Sequence, residues 1–263
     1  WLAASFSLIF VSEKPFQNFL DDTNKKNFED EEKYLTMTET MIKISNSFRN
    51  KNLRGFITML LFSKIGLIFS TKITPLIFIE KGYSQQKLTN LSSAITIIEI
   101  LISIKLSNIK GNFLKVYLQS YKTMFFVFGF EMIILISYEF FREKIEEFST
   151  LFFIILALHI VVKSYFYLVC FISMCGFFNR ITDRSIGATY VTALYSANNL
   201  SEKWPGIFVF SLVDYVDYKI IGFLSILYSV CFYLIFKDSY IKYDESDEKD
   251  WLSYNSEKSD KLE

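Results

Sequence analysis

Blocks of about 20 predominantly apolar residues recur along this chain, and they limit its possible folds more than any other feature. A helix of that length crosses the hydrocarbon core of a bilayer, whereas a soluble domain would bury one core under a polar surface. The charged residues, 21% of the chain, are concentrated between the blocks. The pattern therefore predicts an all-α membrane protein. Six spans are predicted, at residues 55–79, 88–104, 123–138, 151–178, 187–213 and 219–236.

Lysine and arginine are distributed unevenly between the predicted spans. They are concentrated before the first span, after the second, after the fourth and after the last, while the other connections are sparser or rich in acids. Because short basic loops stay on the cytosolic side, this alternation is consistent with six spans. It places the first long loop and the C-terminus in the cytosol.

The predicted organisation has four parts. Residues 1–11 are expected to be the end of a preceding transmembrane helix, and residues 12–54 a cytosolic loop whose last part is either an interfacial helix or irregular. Residues 55–238 are expected to form the six-helix bundle, and residues 239–263 an acidic, disordered cytosolic tail. This order fits the C-terminal half of a twelve-helix transporter. The partner would then be an N-terminal six-helix half that this sequence lacks.

Composition argues against several classes of ligand. The formal net charge is zero, so no nucleic-acid partner is expected. The three cysteines lie inside apolar segments without metal-ligand spacing, and they are predicted to be small buried hydrophobes. Neither a metal nor a cofactor is therefore expected.

Ionisable side chains inside the predicted spans are the candidate functional residues. A charge in hydrocarbon costs about 2.5–3.5 kcal/mol on insertion scales, so such residues tend to face a cavity or a partner. Lys64, Lys72 and Lys163 are predicted to line a positive cavity for an anionic solute. Alternatively, one or more of them pairs with Glu99 or Glu131, or reaches to an interface. The remaining ionisable residues noted in the spans are His159 and Lys203.

Two further roles are assigned from residue type. Glu99 and His159 are the candidates for proton coupling, because burial raises the pKa of a carboxyl group and histidine titrates near physiological pH. Alternatively, His159 is a packed polar residue. Tyr190 and Asn198, in the polar fifth span, are predicted to orient the solute. The Trp204-Pro205-Gly206 sequence is predicted to bend or interrupt that helix.

One stretch carries a family resemblance. Residues 181–216, ITDRSIGATYVTALYSANNLSEKWPGIFVFSLVDYV, resemble the acetyl-coenzyme A transporter family, a solute-carrier branch of the major facilitator superfamily. A shorter segment, SKIGLIFS at residues 63–70, is similar to the family's seventh helix. The matching positions of the longer stretch are Asp183, Ile186, Gly187, Thr189, Tyr190, Thr192, Asn199, Leu200, Trp204 and Pro205.

The resemblance implies a transporter rather than an enzyme. It implies a multi-pass protein of the endoplasmic reticulum or Golgi membrane that moves acetyl-CoA, or a related anionic CoA metabolite, from cytosol to lumen by alternating access. Lys72 and Lys163 would then bind phosphate. Bacterial relatives of the family carry muropeptides, so a muropeptide permease is one alternative. A membrane-bound acyltransferase using His159 is another.

Overall fold

The computed structural model of the protein describes residues 42, 45–106, 111–141, 145–182 and 187–251, without the side chains of residues 145–149, 188 and 248. All regular elements in these ranges are helical, which confirms the predicted all-α class. In chain order the α-helices are α1 (Lys51–Ser63), α2 (Thr74–Glu80), α3 (Gln85–Leu106), α4 (Phe113–Phe141), α5 (Ile145–Ile181), α6 (Gly187–Val213) and α7 (Tyr218–Glu245).

Four helices are long and apolar enough to cross a membrane: α3, α4, α5 from Thr150, and α7. A fifth crossing results if the bent segment formed by Lys51–Leu67 and Phe69–Glu80 is one span. The remaining predicted span, the fifth in chain order, corresponds to α6, a helix of 27 residues that is not among these apolar candidates. The described part of the chain is thus a multi-pass membrane protein with four or five spans by length and composition.

The first predicted span is a broken helix. Between α1 and α2 the chain passes through a 3₁₀ turn (Ile65–Leu67) and a π-helical turn (Phe69–Ile73), and the two halves of the segment meet at 49°. Gly66 lies against α7, where an added Cβ would collide with the carbonyl of Ser225 and the side chain of Ser229. Pro75, in the first turn of α2, lacks the N–H that a continuous helix would need. Close packing at Gly66 and the missing donor at Pro75 thus flank the break.

The break exposes backbone carbonyls that side chains then satisfy. The last four carbonyls of any α-helix have no intrahelical donor. At the end of α1 the Ser63 hydroxyl donates to the Leu60 carbonyl at 2.8 Å. The Leu61, Phe62 and Ser63 carbonyls accept from Trp204 on α6 (3.0 Å), Tyr228 on α7 (3.0 Å) and Tyr121 on α4 (2.8 Å). Three neighbouring helices therefore hold the end of α1.

The helices pack around α4, which lies against both α5 and α7, while α6 packs against α1 and α3 against α5. A core cluster joins the broken segment to α3, α4, α5, α6 and α7 through residues such as Phe69, Leu135 and Leu156. Large apolar side chains also cover the outside of the bundle, as at Phe126 and Leu101. An apolar exterior is what lipid contact requires.

One local prediction is narrowed and another is wrong. The Trp204-Pro205-Gly206 sequence does not interrupt α6, which continues through Pro205 to Val213, so a bend is the alternative that stays a prediction. The acidic tail predicted to be disordered from residue 239 is helical through Glu245, and a 3₁₀ turn follows at Glu248–Trp251. Hydropathy missed this order because the stretch is held by a few buried side chains, Tyr240, Asp244 and Trp251, in a largely polar sequence. Residues 1–41, which include the predicted helix end at 1–11 and most of the loop at 12–54, lie outside the described residues, as do residues 252–263.

Trp251 is 1% exposed and contacts the rings of Phe56, Phe177 and Tyr243 at centroid distances of 5.9, 5.4 and 5.3 Å. We therefore expect Trp251→Ala to destabilise the protein by about 3–5 kcal/mol, the usual loss for truncating a buried aromatic. The fraction of protein that remains monodisperse after heating in detergent measures this. Tyr215→Ala, at a tyrosine that is 87% exposed, is the control. Equal midpoints for the two variants would contradict the packing of the tail.

Candidate functional site

Two ion-pair centres lie inside the helical bundle. The Lys64 centre consists of Lys64, Tyr167, Asn198 and Glu202, and the Glu131 centre consists of Ser70, Glu131, His159 and Lys163. The broken first segment contributes to both, since Lys64 follows α1 directly and Ser70 lies in the π-helical turn. Both centres therefore tie the broken segment to the other helices.

The Lys64 centre joins the end of α1 to α5 and α6. The Lys64 Nζ lies 2.7 Å from the Glu202 Oε1 and donates to the backbone carbonyl of Asn198 at 3.4 Å. The Tyr167 hydroxyl donates to the same Glu202 oxygen. Lys64 is buried and its charge is compensated. In this conformation it is not free to bind an anionic solute.

The Glu131 centre is buried more deeply. Glu131, on α4, and His159, on α5, are 4% and 5% exposed. The Lys163 Nζ lies 2.7 Å from the Glu131 Oε1, and the Ser70 hydroxyl donates to the Oε2. The His159 Nε2 lies 3.9 Å from that Oε2. The carboxylate is thus surrounded by a cation, a hydroxyl and an imidazole.

The sequence explains why Lys163 also binds the backbone at Ser70. In the π-helical turn the Thr74 N–H donates to the Phe69 carbonyl, five residues back. The next bond of that pattern would run from residue 75 to the Ser70 carbonyl, but residue 75 is proline and has no N–H. The Lys163 Nζ donates to this carbonyl instead, at 3.2 Å. Pro75 therefore leaves the Ser70 carbonyl without a backbone donor, and a lysine from α5 donates to it.

The predicted site residues are not gathered into one cavity of unpaired lysines. Lys64 and Lys163 each have their own carboxylate, because an uncompensated charge in this interior would be costly. Lys72 is exposed and has no ion pair within the ranges that the structure describes, although its charge acts through space on Glu202. The predicted alternative, that a lysine pairs with Glu131, describes Lys163.

The remaining candidates differ in placement. Tyr190, on α6, is buried, and Asn198 contributes its backbone carbonyl to the Lys64 centre. Glu99, on α3, is half-buried and belongs to neither centre, whereas His159 belongs to the Glu131 centre. Their roles in binding and proton coupling stay predictions.

Three members of the centres were not assigned a role from sequence: Ser70, Tyr167 and Glu202. Serine and tyrosine are too common in such segments to stand out. Glu202 carried a usable signal, because an acid in a transmembrane helix needs a partner and Lys64 was a cation in need of one. What sequence could not supply was the contact between α1 and α6 that brings the two together.

Removing one member of a buried pair leaves a charge without compensation, which typically costs about 3–5 kcal/mol. We expect Glu131→Gln to destabilise the protein by about that amount and Glu131→Gln/Lys163→Met to recover much of it. Thermal midpoints in detergent measure both. Lys115–Glu245 is the matched exposed pair, with an Nζ to Oε1 distance of 2.9 Å, and Glu245→Gln should cost less than about 1 kcal/mol. Equal losses at Glu131 and Glu245 would show that the Glu131 centre is not a buried pair.

Comparison with known proteins supports the resemblance found in the sequence. Residues 127–234 match the family model described as acetyl-coenzyme A transporter 1. The matched stretch covers about half of α4, all of α5 and α6, and much of α7. It includes Glu131, His159, Lys163, Asn198 and Glu202, and it ends well after the residues that first suggested the family.

A curated relative is an uncharacterized membrane protein of Saccharomyces cerevisiae, 31% identical over 72 residues. The match covers 27% of this chain and 13% of the yeast protein, so this chain spans only a small part of the relative's length. No solved structure matches the chain significantly. Over residues 127–234, this chain is similar to the acetyl-coenzyme A transporter family.

Proposed function

We propose that the chain is part of a membrane transporter that moves acetyl-CoA, or a related anionic CoA metabolite, from cytosol into the lumen of the endoplasmic reticulum or Golgi. The observation that carries the proposal is the family match over residues 127–234, which contains the acidic partner of each buried lysine. In this proposal residues 55–238 act as the C-terminal half of a twelve-helix bundle. An N-terminal half would complete the cavity of such a bundle.

The two ion-pair centres suggest how an anion could be coupled to helix movement. Coenzyme A carries a diphosphate and a 3′-phosphate, and a phosphate oxygen can replace a carboxylate oxygen beside a lysine. Such an exchange would free Glu202 from Lys64 or Glu131 from Lys163 and loosen the contact of the broken segment with α6 or with α4 and α5. Each lysine is then a binding residue in one conformation and a structural partner in the other.

Lys72 has a different place in this scheme. It is exposed, it lies in the π-helical turn two residues after Ser70, and no described carboxylate pairs with it. An exposed cation needs no prior exchange of partners to meet a phosphate. We therefore assign the first phosphate contact to Lys72, ahead of Lys64 and Lys163.

Asn198 and Tyr190 are proposed to orient the solute. The Asn198 Oδ1 is buried without a hydrogen-bond partner among the described residues, and Asn198 borders a cavity of about 20 Å³ together with Lys64 and Tyr167. A cavity of that size holds about one water molecule. Solute entry therefore requires the helices to separate, as alternating access does.

For proton coupling, His159 is better placed than Glu99. Its Nε2 faces the Glu131 Oε2 at 3.9 Å, so protonation of the imidazole would place a second cation beside the carboxylate shared with Lys163. Glu99 contacts neither centre. In this proposal, a proton bound at His159 compensates Glu131 in place of Lys163 and so links proton binding to release of the lysine.

Uptake of labelled acetyl-CoA into proteoliposomes carrying the full-length protein tests the proposed function. We expect saturable uptake above empty vesicles, with little competition by muropeptides. We also expect His159→Ala to retain measurable uptake, whereas an acyltransferase using this histidine as its base would lose turnover outright. No uptake by folded protein, or muropeptide uptake in its place, would overturn the substrate assignment.

Lys72→Ala tests the proposed first phosphate contact. We expect the KM for acetyl-CoA to rise about tenfold or more, since a hydrogen bond to a charged group is worth about 1.5–3 kcal/mol. Uptake of acetyl-pantetheine, which lacks the phosphates, should change much less. Lys105→Ala, at an exposed lysine of α3, is the control. Equal losses for both solutes would show that Lys72 has a structural role.

A further inference from the structure

A groove of about 620 Å³ opens between the start of α1 and the end of α7, away from both ion-pair centres. Three of its lining residues are cations, Lys51 and Arg54 on α1 and Lys242 on α7, and all three are exposed. No described carboxylate forms an ion pair with any of them. The groove is therefore a concentration of uncompensated positive charge.

Two acidic residues at the end of α7, Asp244 and Glu245, are each paired with a cation outside the groove. The Asp244 Oδ1 lies 3.0 Å from Arg180, and the Glu245 Oε1 lies 2.9 Å from the Lys115 Nζ. The Asp250 backbone carbonyl accepts hydrogen bonds from the side chains of Asn50 and Asn52, which fixes the turn beside the groove. The three cations thus remain available to an external anion.

The same helix faces become apolar farther along the bundle. On α1, Lys51, Gly55, Thr58 and Phe62 follow steps of four, three and four residues, and on α7 Ile235, Ser239 and Lys242 follow steps of four and three. Phe62 is 43% exposed and Ile235 67%. The Tyr228 hydroxyl donates to the Phe62 carbonyl at 3.0 Å, so α1 and α7 stay in contact to this depth.

We propose that the groove formed by Lys51, Arg54, Ser239 and Lys242 binds the phosphate headgroup of an anionic membrane phospholipid. The exposed Phe62 and Ile235 would contact its acyl chains. Soluble phosphate would contact only the cations, whereas a phospholipid would contact both the cations and the apolar surface beside them. The two surfaces lie about 10 Å apart, because seven residues separate them along a helix. The predicted cytosolic placement of this end agrees, because anionic lipids give that leaflet a negative surface potential.

The site is independent of the transported solute. A bound lipid would join α1, which precedes the break, to α7, which precedes the tail. It would therefore stabilise the bundle whether or not acetyl-CoA is the substrate. Loss of lipid binding and loss of uptake are therefore separate outcomes.

Native mass spectrometry of the purified full-length protein, titrated with phosphatidylinositol or phosphatidylcholine, tests the proposal. The test variant is Lys51→Gln/Arg54→Gln/Lys242→Gln, and the control with equal loss of charge is Lys87→Gln/Lys105→Gln/Lys122→Gln, at exposed lysines outside the groove. Each groove cation removed should weaken phosphatidylinositol binding about fivefold, which corresponds to about 1 kcal/mol. Phosphatidylcholine binding and the control should change little.

Two results would overturn the proposal. One is equal phosphatidylinositol affinity in the groove variant and the control. The other is displacement of phosphatidylinositol by inorganic phosphate at matched concentration, which would make the groove a site for soluble phosphate. Gel filtration checks the fold of the triple variant. If the triple variant aggregates, the single variant Lys242→Gln is used instead. A fivefold loss of phosphatidylinositol affinity in that variant supports the proposal, and an unchanged affinity overturns it.

Discussion

A backbone carbonyl inside a membrane protein needs a hydrogen-bond donor. The Ser70 carbonyl has no backbone donor at residue 75, because that residue is proline and lacks an N–H. Lys163 supplies the missing hydrogen bond and, with the same ammonium group, compensates Glu131. The proline at position 75 therefore explains why Lys163 binds the broken segment as well as Glu131. The same holds at the end of α1, where side chains from α4, α6 and α7 donate hydrogen bonds to the carbonyls that the break leaves without backbone donors.

The broken segment is consequently the element to which the other helices are fastened. Its hydrogen bonds and ion pairs reach α4, α5, α6 and α7, and each link is specific in chemistry rather than a general apolar contact. Links of this kind are bistable: an ion pair is either formed or exchanged for another partner. A transporter that rocks one part against another would use such contacts at the positions where its helices must separate.

Much of this arrangement was open to sequence reasoning. Apolar blocks predicted helices where the structure has α3, α4, α5 and α7, because a 20-residue apolar run has few other stable forms in water or lipid. The candidate ionisable residues were found for a similar reason, since a charge in such a run is costly wherever it points. The ordered tail was missed because the residues that hold it, Tyr240, Asp244 and Trp251, stand singly in an acidic stretch, and a mean hydropathy over the stretch does not reveal their contacts.

The sequence by itself determined the helical class, the membrane setting, the family resemblance and which residues carry unusual charge. These follow from local properties: length of apolar runs, residue type and the spacing of a motif. Only the tertiary structure decided that Glu202 is the ion-pair partner of Lys64. It also decided that Lys163 contacts both the Glu131 carboxylate and the Ser70 carbonyl, and that Lys72 stays exposed. Those pairings join residues as far as 138 positions apart, and contacts at that separation are set by how helices pack rather than by any pattern along the chain.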